Sequence, residues 1–174
     1  MSSSKLFQWS GLATILGGVL LPISWILRFV FNISRPYTGT VEFVATILLV
    51  FGFMGVYGFQ HVQSGIWGFL GFVLLIIHNC SALGECWLQN GQITGVAAVL
   101  APIVGATMLL GFILLGIGSW QANKLPHWAI LLWVIGGALI VPGFAVLPIL
   151  VVLGGIIQGI GVVAAGVILW MGKY

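Results

Sequence analysis

Six apolar runs, each near the roughly 20 residues that a helix needs to cross a bilayer, follow one another along this chain with only short polar turns between them. Hydrocarbon offers no hydrogen bonds, so a spanning segment must satisfy its own backbone, and helices do this within one segment. The pattern predicts helices near 7–32, 41–60, 66–88, 93–121, 127–145 and 148–171. The turns between them read "NISRPYTGT", "QHVQSG", "WLQNGQ", "QANKLP" and "VPGFAVLP", where Pro142, Gly143 and Pro148 interrupt an uncharged run. The expected fold class is therefore an all-α integral membrane protein with six transmembrane helices in one domain over 1–174.

Composition agrees with this. Of 174 residues, 61% are hydrophobic and 4% charged, against about 25% charged in soluble domains. The first run continues from Phe7 to Ile33, longer than the about 7–15 apolar residues of a secretory signal, and is read as a retained helix. The formal charge of +3 is spread too thinly to make a basic patch for nucleic acid. Cys80 and Cys86 lie on different faces of one predicted helix, about 9 Å apart in rise, so they are read as free thiols.

The chain also resembles itself. Residues 45–73 laid on 106–134 agree at ten of 29 positions, among them Thr46/Thr107, Gly55/Gly116, Gln60/Gln121 and Trp67/Trp128. Trp9, Gly17 and Gly18 align in the same way with Trp128, Gly136 and Gly137, while Gly111, Gly116 and Trp120 share their spacing with Gly161, Gly166 and Trp170. The economical reading is three tandem helical hairpins, about 7–60, 66–121 and 127–171, forming a parallel internal repeat about an axis along the membrane normal. Trp9, Trp67 and Trp128 then begin the odd helices at one membrane face, where an amphipathic indole settles. The many glycines are expected to let helix backbones approach each other. Lys5, Lys124 and Lys173 fall on the face shared by both termini and Arg28 and Arg35 on the other, which favours cytoplasmic termini.

Candidate chemistry concentrates in "IIHNCSALGEC". His78 falls eleven residues after Trp67, about 16 Å along the axis, near the middle of a roughly 30 Å core. At 100° per residue His78, Ser81, Ala82, Glu85 and Gln89 share one face, flanked by Asn79, Cys86 and Asn90. Thr46, Thr107 and Gln158 on even helices are the candidate partners for this polar intramembrane stripe. Arg28 and Glu85 are level at the far interface and are expected to form an ion pair, leaving Arg35 to approach Glu42. Ser81, His78 and Glu85 lie on one helix and point alike, so they do not form a catalytic triad, and no catalytic residue is assigned. His61 and His127 sit in turns far from His78, so no metal site is expected, although a single His78 can serve as an axial ligand to haem or a pigment. The sequons at Asn32 and Asn79 lie against or within a span, and neither is expected to be modified.

The stretches "LLVFGFMGVYGFQ", "GIWGFLGFVLLI" and "GSWQANKLPHWAILLWVIGG" resemble the uncharacterised six-helix proteins of bacterial inner membranes. That resemblance implies the fold and a bacterial inner-membrane location, and it carries over no functional residue. The function expected is that of a non-enzymatic scaffold or accessory subunit. It would bind membrane lipid or a hydrophobic cofactor, or pack into a larger membrane complex or a homo-oligomer. The rival readings are a small transporter or channel with a polar path along the third helix, and a redox or pigment-binding subunit that uses His78.

Overall fold

Long apolar segments without charge become helices here, and the polar turns end them. The computed structural model describes residues 3–90 and 94–172, with side-chain burial described over 5–86 and 101–172. Lys173 and the end of the "WLQNGQ" turn, Gly91 and Gln92, lie outside the described residues. The six helices are α1 (Ser3–Phe29), α2 (Arg35–Gln60), α3 (Gly65–Asn90), α4 (Thr94–Ala122), α5 (His127–Ala145) and α6 (Pro148–Met171). Each is long and apolar enough to cross a membrane, and no strand occurs among the described residues.

The boundaries of α5 and α6 fall where the sequence places them, and the first turn does not. It is shorter than the expected 33–40, because α1 stops at Phe29 and α2 already begins at Arg35. Ser34 is extended (φ −61°, ψ 147°) and Pro36 occupies the first turn of α2. A proline there gives up no hydrogen bond and its ring presets the helical φ. Asn32 supplies the reversal at φ 53°.

Neighbouring helices run antiparallel, as their contacts show. A Cβ added to Gly52 or Gly55 of α2 would strike Thr14 or Ser10 of α1, and one on Gly111 or Gly71 of α4 and α3 would strike Leu75 or the backbone of Leu115. The starts of α1, α3 and α5 therefore share one end of the bundle, with Trp9, Trp67 and Trp128 exposed on its surface.

The helices form a closed ring in which α1 lies between α2 and α6. Packing within the hairpins α1–α2, α3–α4 and α5–α6 is extensive, and so is the α1–α6 seam; the α2–α3 and α4–α5 seams are much thinner. The three junctions between hairpins are thus unequal. Glycine explains the α1–α6 seam. A Cβ on Gly11 would lie 2.7 Å from the carbonyl oxygen of Gly166, and one on Gly166 would lie 2.8 Å from that of Gly11. Between α4 and α5 the closest approach of this kind is looser, Gly116 facing Val134 Cγ2 at 3.1 Å. Backbone contact, which lipid cannot replace, holds the tight seams.

Polarity is inverted relative to a soluble domain. Phe51, Leu110 and Ile160 face outward while Thr14, Ser24, Asn79 and Gln158 are buried. Buried hydroxyls such as these are satisfied within their own helices, Thr14 donating to Ser10 O at 2.7 Å and Ser24 to Leu21 O at 2.7 Å.

Candidate functional site: a cavity at the end away from the termini

Three helices carry an interior proline, Pro22 in α1, Pro102 in α4 and Pro142 in α5. All three lie in the half of the bundle away from the termini. Each ring removes a donor to the carbonyl four residues back and loosens the helix there. In the same half the thin α2–α3 and α4–α5 seams leave a cavity of about 640 Å³ lined by all six helices.

The cavity's floor is apolar and packed. Phe53 and Phe112 meet edge-on there, with ring centroids 5.7 Å apart. Beyond them, toward the termini, Val56, Leu115 and Leu169 are fully buried and line no part of the cavity. Gln60 Nε2 donates to Ser119 Oγ at 2.6 Å, tying α2 to α4 below the floor. The walls include Leu49, Met108, Ile140 and Val162, and the polar residues at mid-depth are Thr46, His78, Asn79 and Gln158.

The mouth carries the charge, Arg28, Arg35, Glu42 and Glu85, beside the thiol of Cys86. Glu42 is only 6% exposed. Arg28 Nη1 lies 3.9 Å from Glu42 Oε1, so the arginine reaches an acid on α2 that the sequence reading left to Arg35. Glu85, the partner expected for Arg28, lines the same mouth. Cys86 Sγ donates to Glu42 Oε2 at 3.9 Å, a weak thiol bond. The second thiol, Cys80, is exposed on the outside of α3.

Of the expected polar stripe, His78, Asn79, Glu85, Thr46 and Gln158 line the cavity, while Ser81 and Thr107 do not. The face that α3 turns inward is rotated toward Asn79 and Cys86. The side chain of Gln89 lies outside those described. His78 Nδ1 donates across helices to the carbonyl of Val104 at 2.9 Å, so its partner is main chain and none of the expected side chains. Thr46 instead donates to Glu42 O at 2.8 Å. Thr107 donates to Ile103 O at 2.7 Å and to Val104 O at 3.2 Å, meeting His78 only through that shared carbonyl. Bonding a carbonyl fixes the proton on Nδ1, which leaves Nε2 of the neutral ring as an acceptor. Asn79 Nδ2 donates to Leu75 O at 2.6 Å. His61 bonds Gly58 O and His127 stacks on Trp120, both at the other end of the bundle.

Glu42, Arg35 and Trp25 complete the cavity but were not grouped with the stripe from sequence. The signal was present in α2, where Glu42, Thr46, Leu49 and Phe53 recur at helical spacing on one face. Comparison of the chain with protein-family models, with curated proteins and with solved structures returns no match.

Proposed function

We propose that this chain is a non-enzymatic integral membrane protein that holds one hydrophobic or amphipathic small molecule in the cavity at the end away from its termini. The observation that carries this reading is the cavity itself. At about 640 Å³ it lies within the roughly 300–1,000 Å³ typical of ligand sites, and its mostly apolar wall with a few convergent polar groups is their usual composition. A packed floor below Phe53 and Phe112 favours holding a ligand over passing one through. The thin α2–α3 and α4–α5 seams support a second reading, a transporter in which the α3–α4 pair moves against the other four helices.

Location in a bacterial inner membrane, with both termini cytoplasmic, belongs to the same proposal. Its supports are the resemblance to six-helix inner-membrane proteins and the lysines grouped at the terminal end. The tandem-hairpin repeat is retained as the origin of the shared Trp and Gly spacings.

Native mass spectrometry of protein released gently from its membrane tests the reading. One amphiphile per chain should be retained by the native protein and lost in Ala82→Phe, which puts a ring into the cavity. Equal retention by both proteins, or none by either, would contradict it.

A further inference from the structure

The mouth of the cavity specifies what kind of head group the ligand carries. Among the described residues four buried polar atoms lack a hydrogen-bond partner: Glu42 Oε1, Arg35 Nε, Gln60 Oε1 and Trp133 Nε1. Gln60 and Trp133 do not line the cavity, whereas Glu42 and Arg35 do. The two atoms at the mouth are of opposite kind, one a carboxylate oxygen to which Arg28 Nη1 comes no nearer than 3.9 Å, an ion pair without a hydrogen bond, and the other a guanidinium N–H that needs an acceptor. A buried group left in this state costs more than the same group exposed, so both are poised to be satisfied by something that enters.

The surrounding charges say the same. Two arginines, Arg28 and Arg35, face two acids, Glu42 and Glu85, around one opening. A purely anionic head would neutralise the arginines and be repelled by the carboxylates, and a purely cationic head would meet the reverse. A neutral polar head could satisfy the hydrogen bonds but would leave the field of the four charges unused. Glu42 lies seven residues into α2, about 10 Å below its first residue by helical rise. Its carboxylate is therefore set at the inner edge of the mouth, between Arg35 and the apolar walls.

We infer that the cavity takes a single-chain zwitterionic amphiphile, its ammonium at Glu42, its anionic oxygen at Arg35 and its tail against Leu49, Met108 and Ile140 down to Phe53 and Phe112. This deepens the proposed function and rests on the cavity being a ligand site. The volume, that of a drug-sized pocket, sets the limit of one chain. The chemistry is shared by lipids of the bilayer and by soluble zwitterions without a tail, and the two sources differ in what the apolar walls contribute.

Binding to the purified full-length protein, freed of lipid in detergent, separates these possibilities. The probes are N-dodecylglycine, whose ammonium stands between tail and carboxylate as Glu42 stands between the apolar walls and Arg35, a fatty acid, a long-chain primary amine and a monoacylglycerol of equal chain length, together with N-methylglycine as the head alone. The N-alkylglycine should bind at least ten-fold more tightly than any of the other four. Glu42→Gln and Arg35→Gln should each weaken it ten-fold or more and weaken the monoacylglycerol less, and the pair provides a second measurement should one variant fail to fold. Equal affinity for the fatty acid, the amine or the monoacylglycerol would overturn the zwitterionic assignment, as would unchanged N-alkylglycine binding in both variants. Tight binding of the head alone would overturn the amphiphile and point to a soluble ligand. If no tailed probe binds, or if Ala82→Phe alters the binding of none, the cavity reading itself fails, an outcome distinct from a wrong head group.

Discussion

The two ends of this bundle are built from different residues and do different things. At the end carrying the termini, Gly11 faces Gly166, Gly118 faces Gly68 and Gly161 faces the carbonyl of Ala129, so backbones touch and little space remains. At the opposite end the helices carry prolines and charges, α3 and α4 stand apart from α2 and α5, and a cavity opens. In lipid no hydrophobic force pulls helices together. Glycine keeps α6 tight against α1 and α5 even in that half, Gly143 meeting the backbone of Val151 and Gly159 that of Gly18. The gap therefore opens along the α2–α3 and α4–α5 seams, where among the described residues no glycine brings two backbones together, and polar side chains turned inward occupy its rim. The difference teaches that close packing and a ligand-sized void can be placed in one short bundle by which seams carry facing glycines and which do not.

The comparison can be broken most forcefully with a side chain placed between backbones. Gly118→Leu, whose Cβ would collide with the backbone of Gly68, is expected to abolish the monodisperse peak in size-exclusion chromatography, since overpacking alone costs about 1–3 kcal/mol or more. Gly105→Leu at the open end, where the nearest neighbour of an added Cβ is Val141 Cγ1 at 3.6 Å, should leave that peak intact. Truncation gives a smaller and graded contrast. Leu115→Ala, at a side chain that is 0% exposed below the floor, should cost about 2–5 kcal/mol of unfolding free energy, and Met108→Ala on the cavity wall less than half as much, because its side chain already borders empty space. Ala82→Phe should change stability by no more than about 0.5 kcal/mol, the range of substitutions that disturb no packed neighbour, despite its added bulk. A loss above 2 kcal/mol in denaturant titration would show that the space is not there. His78→Phe should also cost little, about 0.5–1 kcal/mol, for one interhelical hydrogen bond to Val104. A larger loss would mean that the imidazole holds the α3–α4 pair together.

The helices were legible because apolar length is the signal and nothing competes with it; even the α5–α6 turn, marked only by Pro142, Gly143 and Pro148 in an uncharged run, falls at 146–147. The first turn was misjudged because Pro36 was read as loop when it lies in the first turn of a helix. Much of the cavity lining was also legible, since a polar residue within a span has reason to face inward. The reach of Arg28 to Glu42 was not. Arg28 could be placed level with Glu85 from helical rise alone, but its reach to Glu42 depends on how α1 and α2 rotate against each other, and glycine contacts at Gly52 and Gly55 set that rotation. His78 was assigned side-chain partners because only side chains are visible to a periodicity argument, whereas the carbonyl it meets belongs to every residue of α4 alike.

The most direct measurement compares two alanines by thiol labelling in a Cys80→Ser, Cys86→Ser background freed of lipid. Ala82 lines the cavity, and Ala165 is 0% exposed in the packed half. Ala82→Cys should react readily with a small water-soluble maleimide and be protected by added amphiphile, while Ala165→Cys stays unreacted until the protein is denatured. Equal protection of the two thiols in the folded protein, or equal reactivity, would contradict a bundle that is sealed at one end and receptive at the other.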